Sequence, residues 1–273
     1  MKIAIIGSGI SGLGAAYFLS PEHEVWVFEK DNRIGGHTHT VTVDTPEGRT
    51  PIDTGFIVHN RENYPNLVAL LDRLNVPTCP SDMSFAYQGS EFLWCSRGLN
   101  GIFADRGNFL RPRYWLFWKE VLRFNALGLT FLENPVPEMT IADFLDQHHF
   151  SIDFRHAYLL PMAGAVWSMT LVEMEHFPAL TLLRFFQNHG MLGVTTQRPW
   201  RTIPGGTSGY LEPISRGFHE RIRTGVEVRV HRESRGARVQ VQGEESQFFD
   251  QIIFACRGPQ VLEVLRDATP LER

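Results

Sequence analysis

The residues with the clearest chemical meaning stand near the start of the chain: Gly7-Ser8-Gly9-Ile10-Ser11-Gly12, three glycines spaced G-x-G-x-x-G. That spacing suits the pyrophosphate of a dinucleotide. Gly7 permits a tight strand-to-helix turn, Gly9 leaves room for a phosphate to approach the backbone, and Gly12 lets helix and strand pack closely. Ile10 and Ser11 open the helix, whose unpaired N–H groups attract an anion. Glu29, with Lys30 beside it, lies at the distance where an acid grips a ribose hydroxyl and repels a 2′-phosphate. Read alone, the same glutamate is an ordinary surface carboxylate.

These residues need elements to hold them, and the pattern supplies a βαβ unit. Lys2-Ile3-Ala4-Ile5-Ile6 reads as a strand, Ile10 to Leu19 as a helix closed by Pro21, and Glu24-Val25-Trp26-Val27-Phe28 as a second strand. A hairpin is expected over Thr38 to Asp44 and Arg49 to Asp53, turning at Pro46-Glu47-Gly48, and a helix over Asn63 to Leu74. The middle, about Cys79 to Thr196, is rich in aromatics with helix-like runs at Arg113 to Phe124, Ile141 to Gln147, Phe154 to Met162 and Leu180 to His189. After Gly205-Gly206 a helix follows, then strands around Val226 to Val230, Arg238 to Val241 and Ile252 to Ala255.

Directly after the acid comes Asn32-Arg33-Ile34-Gly35-Gly36-His37-Thr38. On its own the glycine pair is also a plain turn. Following the G-x-G-x-x-G segment, it resembles the RxGG motif of the flavin-containing amine oxidase superfamily, which includes amine oxidases, phytoene-type desaturases and protoporphyrinogen oxidase. The resemblance implies that Gly35 and Gly36 bring the backbone against FAD and that Arg33 lies near its pyrophosphate. The commonest form of the motif has a second arginine where this chain has His37. Pro51-Ile52-Asp53-Thr54-Gly55-Phe56 looks like the segment that re-enters the flavin site, which implicates Thr54 and Gly55. Ile203-Pro204-Gly205-Gly206-Thr207 looks like the segment that starts a helix beneath it. Ile222 to Val228 is similar to the strand whose valine, here Val228, packs on adenine. Wording such as Gly36-His37-Thr38-His39-Thr40 and Asp53-Thr54-Gly55-Phe56-Ile57-Val58 is similar to a bacterial group described as predicted NAD/FAD-binding proteins, often encoded beside cyclopropane-fatty-acid synthase.

The fold implied is α/β. A Rossmann-like FAD-binding domain of GR2 type, with a parallel sheet plus a β-meander, spans 1–78 and 197–273, and a mostly helical α+β substrate or lid domain spans 79–196. Family members usually continue beyond Arg273, so the chain reads as an N-terminal portion lacking the C-terminal part of the FAD domain. The function implied is FAD-dependent oxidation of the amine oxidase type, with hydride transfer from a C–N or C–C bond of an amine or lipid-like small molecule to flavin N5. Two alternatives stay open: a truncated nucleotide-binding protein without turnover, and an NAD-dependent dehydrogenase using the same opening turn.

No catalytic residue stands out, because flavin chemistry obliges no acid–base pair. Trp167, Trp200 and His59 are candidates for a substrate pocket, with core packing as the competing role. Composition agrees with a globular protein: 273 residues, 43% hydrophobic, 21% charged and a net charge of −4. That charge argues against nucleic acid as a partner. Three scattered cysteines, without a paired His or Cys motif, suggest neither a disulfide framework nor a metal site. No membrane span or export leader is read, so the expected location is cytoplasmic. Arg111, Arg113, Lys119 and Arg123 among the aromatics of 111–123 would also suit peripheral contact with a membrane surface.

Overall fold

The computed structural model describes residues 1–193 and 198–273. The chain divides into two compact units. One contains Met1–His59, Tyr64–Pro80 and Arg201–Arg273, and the other Asn60–Asn63 and Ser81–Trp200. The first crossing thus falls near the expected 78/79 boundary, with residues 60–63 counted in the second unit; the expected 196/197 boundary lies outside the described residues.

The first unit is a Rossmann-like α/β domain. Its parallel sheet contains β1 (Lys2–Ile6), β2 (Glu24–Phe28), β5 (Ile222–Arg223) and β9 (Gln251–Phe254), in the order β9-β1-β2-β5. β1 is central and Ile3, Ala4, Ile5 and Ile6 are all at most 5% exposed, as expected of a strand covered on both faces. Its alternation sorts those residues into two cores. Ile3 and Ile5 meet Leu13 and Ala16 of α1 (Ile10–Leu19), whereas Ala4 and Ile6 meet the other layer. That layer is an antiparallel meander of β6 (Val228–Glu233), β7 (Gly236–Val241) and β8 (Gln247–Phe249), packed through Val230, Ala237, Val239 and Phe249. Two of these strands, β5 and β8, are too short to stand out as sequence patterns.

The hairpin of β3 (Thr40–Thr45) and β4 (Gly48–Asp53) turns at Gly48, whose φ of +118° excludes a β-carbon without strain. At its base, the Asp53 carboxylate accepts from Thr40 Oγ1 at 2.6 Å and from Thr207 N and Oγ1 at 2.9 Å. The Gly205-Gly206 turn is thereby tied to the hairpin. A short 3-10 turn and the helix Leu211–Ser215 follow it.

The second unit is mostly helical, with a small ribbon of Ala86–Gln88 and Leu93–Cys95. Its core is aromatic: Trp94, Tyr114, Phe117, Phe124, Phe144, Phe154 and Phe186 are each at most 2% exposed. The helix expected over 113–124 runs from Pro112 to Glu133, because Leu127, Phe131 and Leu132 continue its apolar face. The helix expected over 154–162 is interrupted. A widened π turn, Arg155–Leu159, separates Ile152–Phe154 from Leu160–Trp167. Pro161 has no N–H for the carbonyl of Ala157 four residues earlier, and that oxygen instead accepts the Trp94 indole N–H at 3.0 Å. Among the described residues, no helix is long and apolar enough to cross a membrane.

Candidate functional site

The glycine turn joins β1 to α1, and its three glycines do different work. Gly7 has φ +105°, and a β-carbon there would lie 2.8 Å from the Ala255 carbonyl oxygen. A β-carbon on Gly12 would overlap the Gly7 carbonyl and press on Ala255 Cβ at 3.2 Å. Both are packing glycines. Gly9 has ordinary φ and ψ of −63° and 177°, and nothing lies within 4 Å of where its β-carbon would be. It leaves open space directly before α1. That helix has no side-chain cap and no acidic residue in its first turn, so its leading N–H groups remain available to an anion.

Glu29, at the end of β2, is 8% exposed and faces back toward this turn. Its Oε2 accepts from Ser8 N at 2.8 Å and Ser8 Oγ at 2.7 Å, and Oε1 accepts from Asp31 N at 2.9 Å. An ionised carboxylate offers about four lone-pair directions. Three are used, two of them to brace the glycine turn through Ser8, a role the sequence did not reveal. One acceptor direction remains.

The Arg33-Ile34-Gly35-Gly36 turn lies against the same place. Gly35 N donates to Ser8 O at 2.9 Å, and a β-carbon on Gly36 would stand 3.1 Å from Gly9 Cα. Gly35 and Gly36 have φ of +108° and +57°, values that favour glycine. Arg33 donates to the carbonyl oxygens of Gly36 at 2.9 Å and Thr38 at 3.4 Å, which clasps the turn. Beyond it, Phe56 N donates to His37 O and Thr54 N to His39 O, both at 2.9 Å, so that Gly55 sits flush on His37.

These segments surround one cleft of about 850 Å³ within the first unit. Of the residues expected at a cofactor, Gly7, Gly9, Glu29, Lys30, Arg33, Gly36, His37, Thr54, Gly55 and Val228 line it. Ile10, Ser11, Gly12 and Gly35 do not; Ile10 and Ser11 form the exposed start of α1, and Gly12 and Gly35 are buried supports. Val228 is 8% exposed and also belongs to the meander core, so it offers an apolar edge rather than a free side chain. Sequence reading missed the opposite wall: Cys256 and Arg257 after β9, and Gln260 and Glu263 on the helix Gly258–Val264. The Cys256 thiol is held above its usual range, chiefly by burial. The strand expected around Ile252 to Ala255, which leads into Cys256 and Arg257, was the available signal for this wall.

The substrate-pocket candidates are divided between the two units. His59 is 1% exposed and its backbone pairs with Arg201 at 2.8 and 2.9 Å, so it is a buried part of the first unit and does not line the cleft. Trp167 and Trp200 belong to the second unit. There Trp167 packs on Phe177 and Phe185, and Trp200 lies over His189, which stacks on Phe185.

The fold and cleft define a dinucleotide-binding Rossmann-like domain, and comparison with known proteins agrees. The family profile for an NAD(P)-binding Rossmann-like domain matches residues 5–74. The chain is 47% identical over 45 residues to 4,4'-diapophytoene desaturase (4,4'-diaponeurosporene-forming) of Staphylococcus aureus strain Newman, a match covering 16% of this chain and 9% of that protein. Over nearly all of its length it is similar in fold to cyclohexylamine oxidase from Brevibacterium oxydans IH-35A, with a TM-score of 0.72, 20% identity, and 99% and 61% of the two chains covered. Putrescine oxidase bound to putrescine is similar at a TM-score of 0.71 and 18% identity, covering 99% and 62%. The chain therefore spans about three fifths of these solved chains, 61% and 62%. At 18% and 20% identity, the likenesses to the solved structures are likenesses of fold.

Proposed function

We propose that the cleft holds FAD and that the chain forms the cofactor-binding part of an FAD-dependent oxidoreductase acting on a small amine or lipid-like molecule. The observation that carries this reading is convergence: the glycine turn, the Arg33-to-His37 turn, the Thr54-Gly55 strand end and the Val228 edge open onto a single cleft. The residues fit the group, since the space a β-carbon would fill at Gly9 is empty and the first turn of α1 is uncapped. Gly9 and the leading N–H groups of α1 would receive the pyrophosphate, Glu29 a ribose hydroxyl, and Val228 the apolar face of the adenine. Arg33 and Glu29 hold the two turns in shape, so little reorganisation accompanies binding.

When bound, FAD supplies a hydride acceptor at N5 for oxidation of a C–N or C–C bond. An apolar substrate is favoured by the half-buried aromatic run Trp167, Phe185, His189 and Trp200 of the second unit. The names of the neighbours in fold, which include a fatty acid isomerase from P. acnes at a TM-score of 0.63 besides the two amine oxidases, support the same range of substrates.

Cofactor extraction tests the reading. Denaturing the purified chain and identifying the released small molecule by mass spectrometry should yield FAD. Recovery of NAD would favour the dehydrogenase alternative. FAD that stays oxidised when amines or unsaturated fatty acids are added without oxygen would favour a binding protein without turnover.

A further inference from the structure

The arginines at the cleft differ in what they already hold. Arg33 has its guanidinium on the carbonyls of its own turn. Elsewhere Arg113, Arg216, Arg223, Arg232 and Arg238 face carboxylates. Arg257 is exposed at the rim of the cleft, and its Nη2 lies 2.9 Å from His37 Nε2. A guanidinium has five N–H donors and an imidazole nitrogen accepts one. An anion can therefore take the others without displacing an ion pair from His37.

Both partners flank the glycine turn. The segment leading to Arg257 meets Gly7 through the Ala255 carbonyl, and the turn leading to His37 meets Gly9 through Gly36. The His37–Arg257 hydrogen bond spans from one flank to the other. Arginine has no acceptor, so Nε2 must carry the lone pair and the ring is neutral with its proton on Nδ1. A proton on Nε2 would replace that acceptor with a donor of like charge.

We propose that Arg257, oriented by neutral His37, binds the pyrophosphate of the dinucleotide, taking the place of an arginine directly after the glycine pair. The proposal rests on the reading that the cleft holds FAD. Arg257 is the binding residue and His37 the positioning residue.

Flavin fluorescence on titrating FAD into the apo chain reads the affinity, and thermal melting confirms folding. Arg257→Ala should weaken FAD binding about tenfold, with Arg257→Lys intermediate, because lysine keeps the charge but loses the fork. His37→Leu, which removes the acceptor that orients the guanidinium, should weaken FAD binding severalfold, and His37→Gln, whose amide oxygen accepts, should recover part of that loss. If Arg257→Ala binds like wild type, or His37→Gln is as weak as His37→Leu, the proposal is overturned while the cleft assignment stands. Failure of the folded wild type to bind FAD at any pH overturns both.

Discussion

At the scale of single residues, the G-x-G-x-x-G spacing conceals two kinds of glycine. Gly12 has no room for a β-carbon against the Gly7 carbonyl, whereas Gly9 has open space. Gly12→Ala should therefore destabilise the first unit by about 3 kcal/mol as overpacking against backbone, seen as a lowered urea midpoint. Glu29 belongs with the supports as much as with the binding residues. Its three protein donors make Glu29→Gln a change that turns an acceptor into a donor beside Ser8, and a cost of about 2 kcal/mol is expected in the same assay. The motifs located the two turns and their glycines from sequence. They did not tell that Arg33 would clasp its own turn, since a side chain's choice of carbonyl leaves no mark in a motif, or that Glu29 would brace its neighbour, since a hydrogen bond across 21 residues leaves no periodic mark.

At the scale of elements, what was legible followed from local pattern. β1, α1 and β2 emerge at their predicted bounds, and the helix Ile141–Gln147 begins at the Thr140 cap, which accepts from Asp143 N while Asp143 reaches back. The segment Ile222 to Val228, likened to one strand, is divided between β5 and the start of β6, and the three-residue strand β8, which exists through its pairing with β7, was missed. The π turn before Pro161 was likewise hidden, since it depends on Trp94 taking the Ala157 carbonyl. The aromatic core of the second unit gives two predictions. Phe124, 1% exposed and ringed by Phe144, Phe150, Phe154 and Phe186, should cost about 4 kcal/mol on truncation to alanine, read from the melting of that unit. Tyr158 has its phenol pushed up to about 12 by burial. The folded state thus keeps a proton that the unfolded chain releases near pH 10, so this contribution is complete below about pH 10 and disappears as pH rises toward 12. Alkaline titration at 295 nm should show Tyr158 ionising in that window or on unfolding, with Tyr114 and Tyr210, also held high by burial, delayed as well.

At the scale of the whole molecule, one physical arrangement organises the first unit. The central strand sends alternate residues into a helix-side core and a meander-side core, and its C-terminal end delivers the backbone to a cleft. Parallel strands end together, which is why residues as distant in sequence as Gly9, Glu29 and Arg257 meet there. The composition of the second unit announced helices and aromatics, and its packing accounts for most of those aromatics as core. The cleft assignment turns on the open space at Gly9 receiving the pyrophosphate of FAD. It is tested most directly by calorimetric titration of FAD into the wild-type chain and into Gly9→Leu, whose side chain projects into that space without a backbone clash. The account predicts tight one-to-one binding to wild type, at least tenfold weaker binding to the variant, and melting temperatures that agree. Equal affinity for the two, or no uptake of FAD by folded wild type, would contradict it.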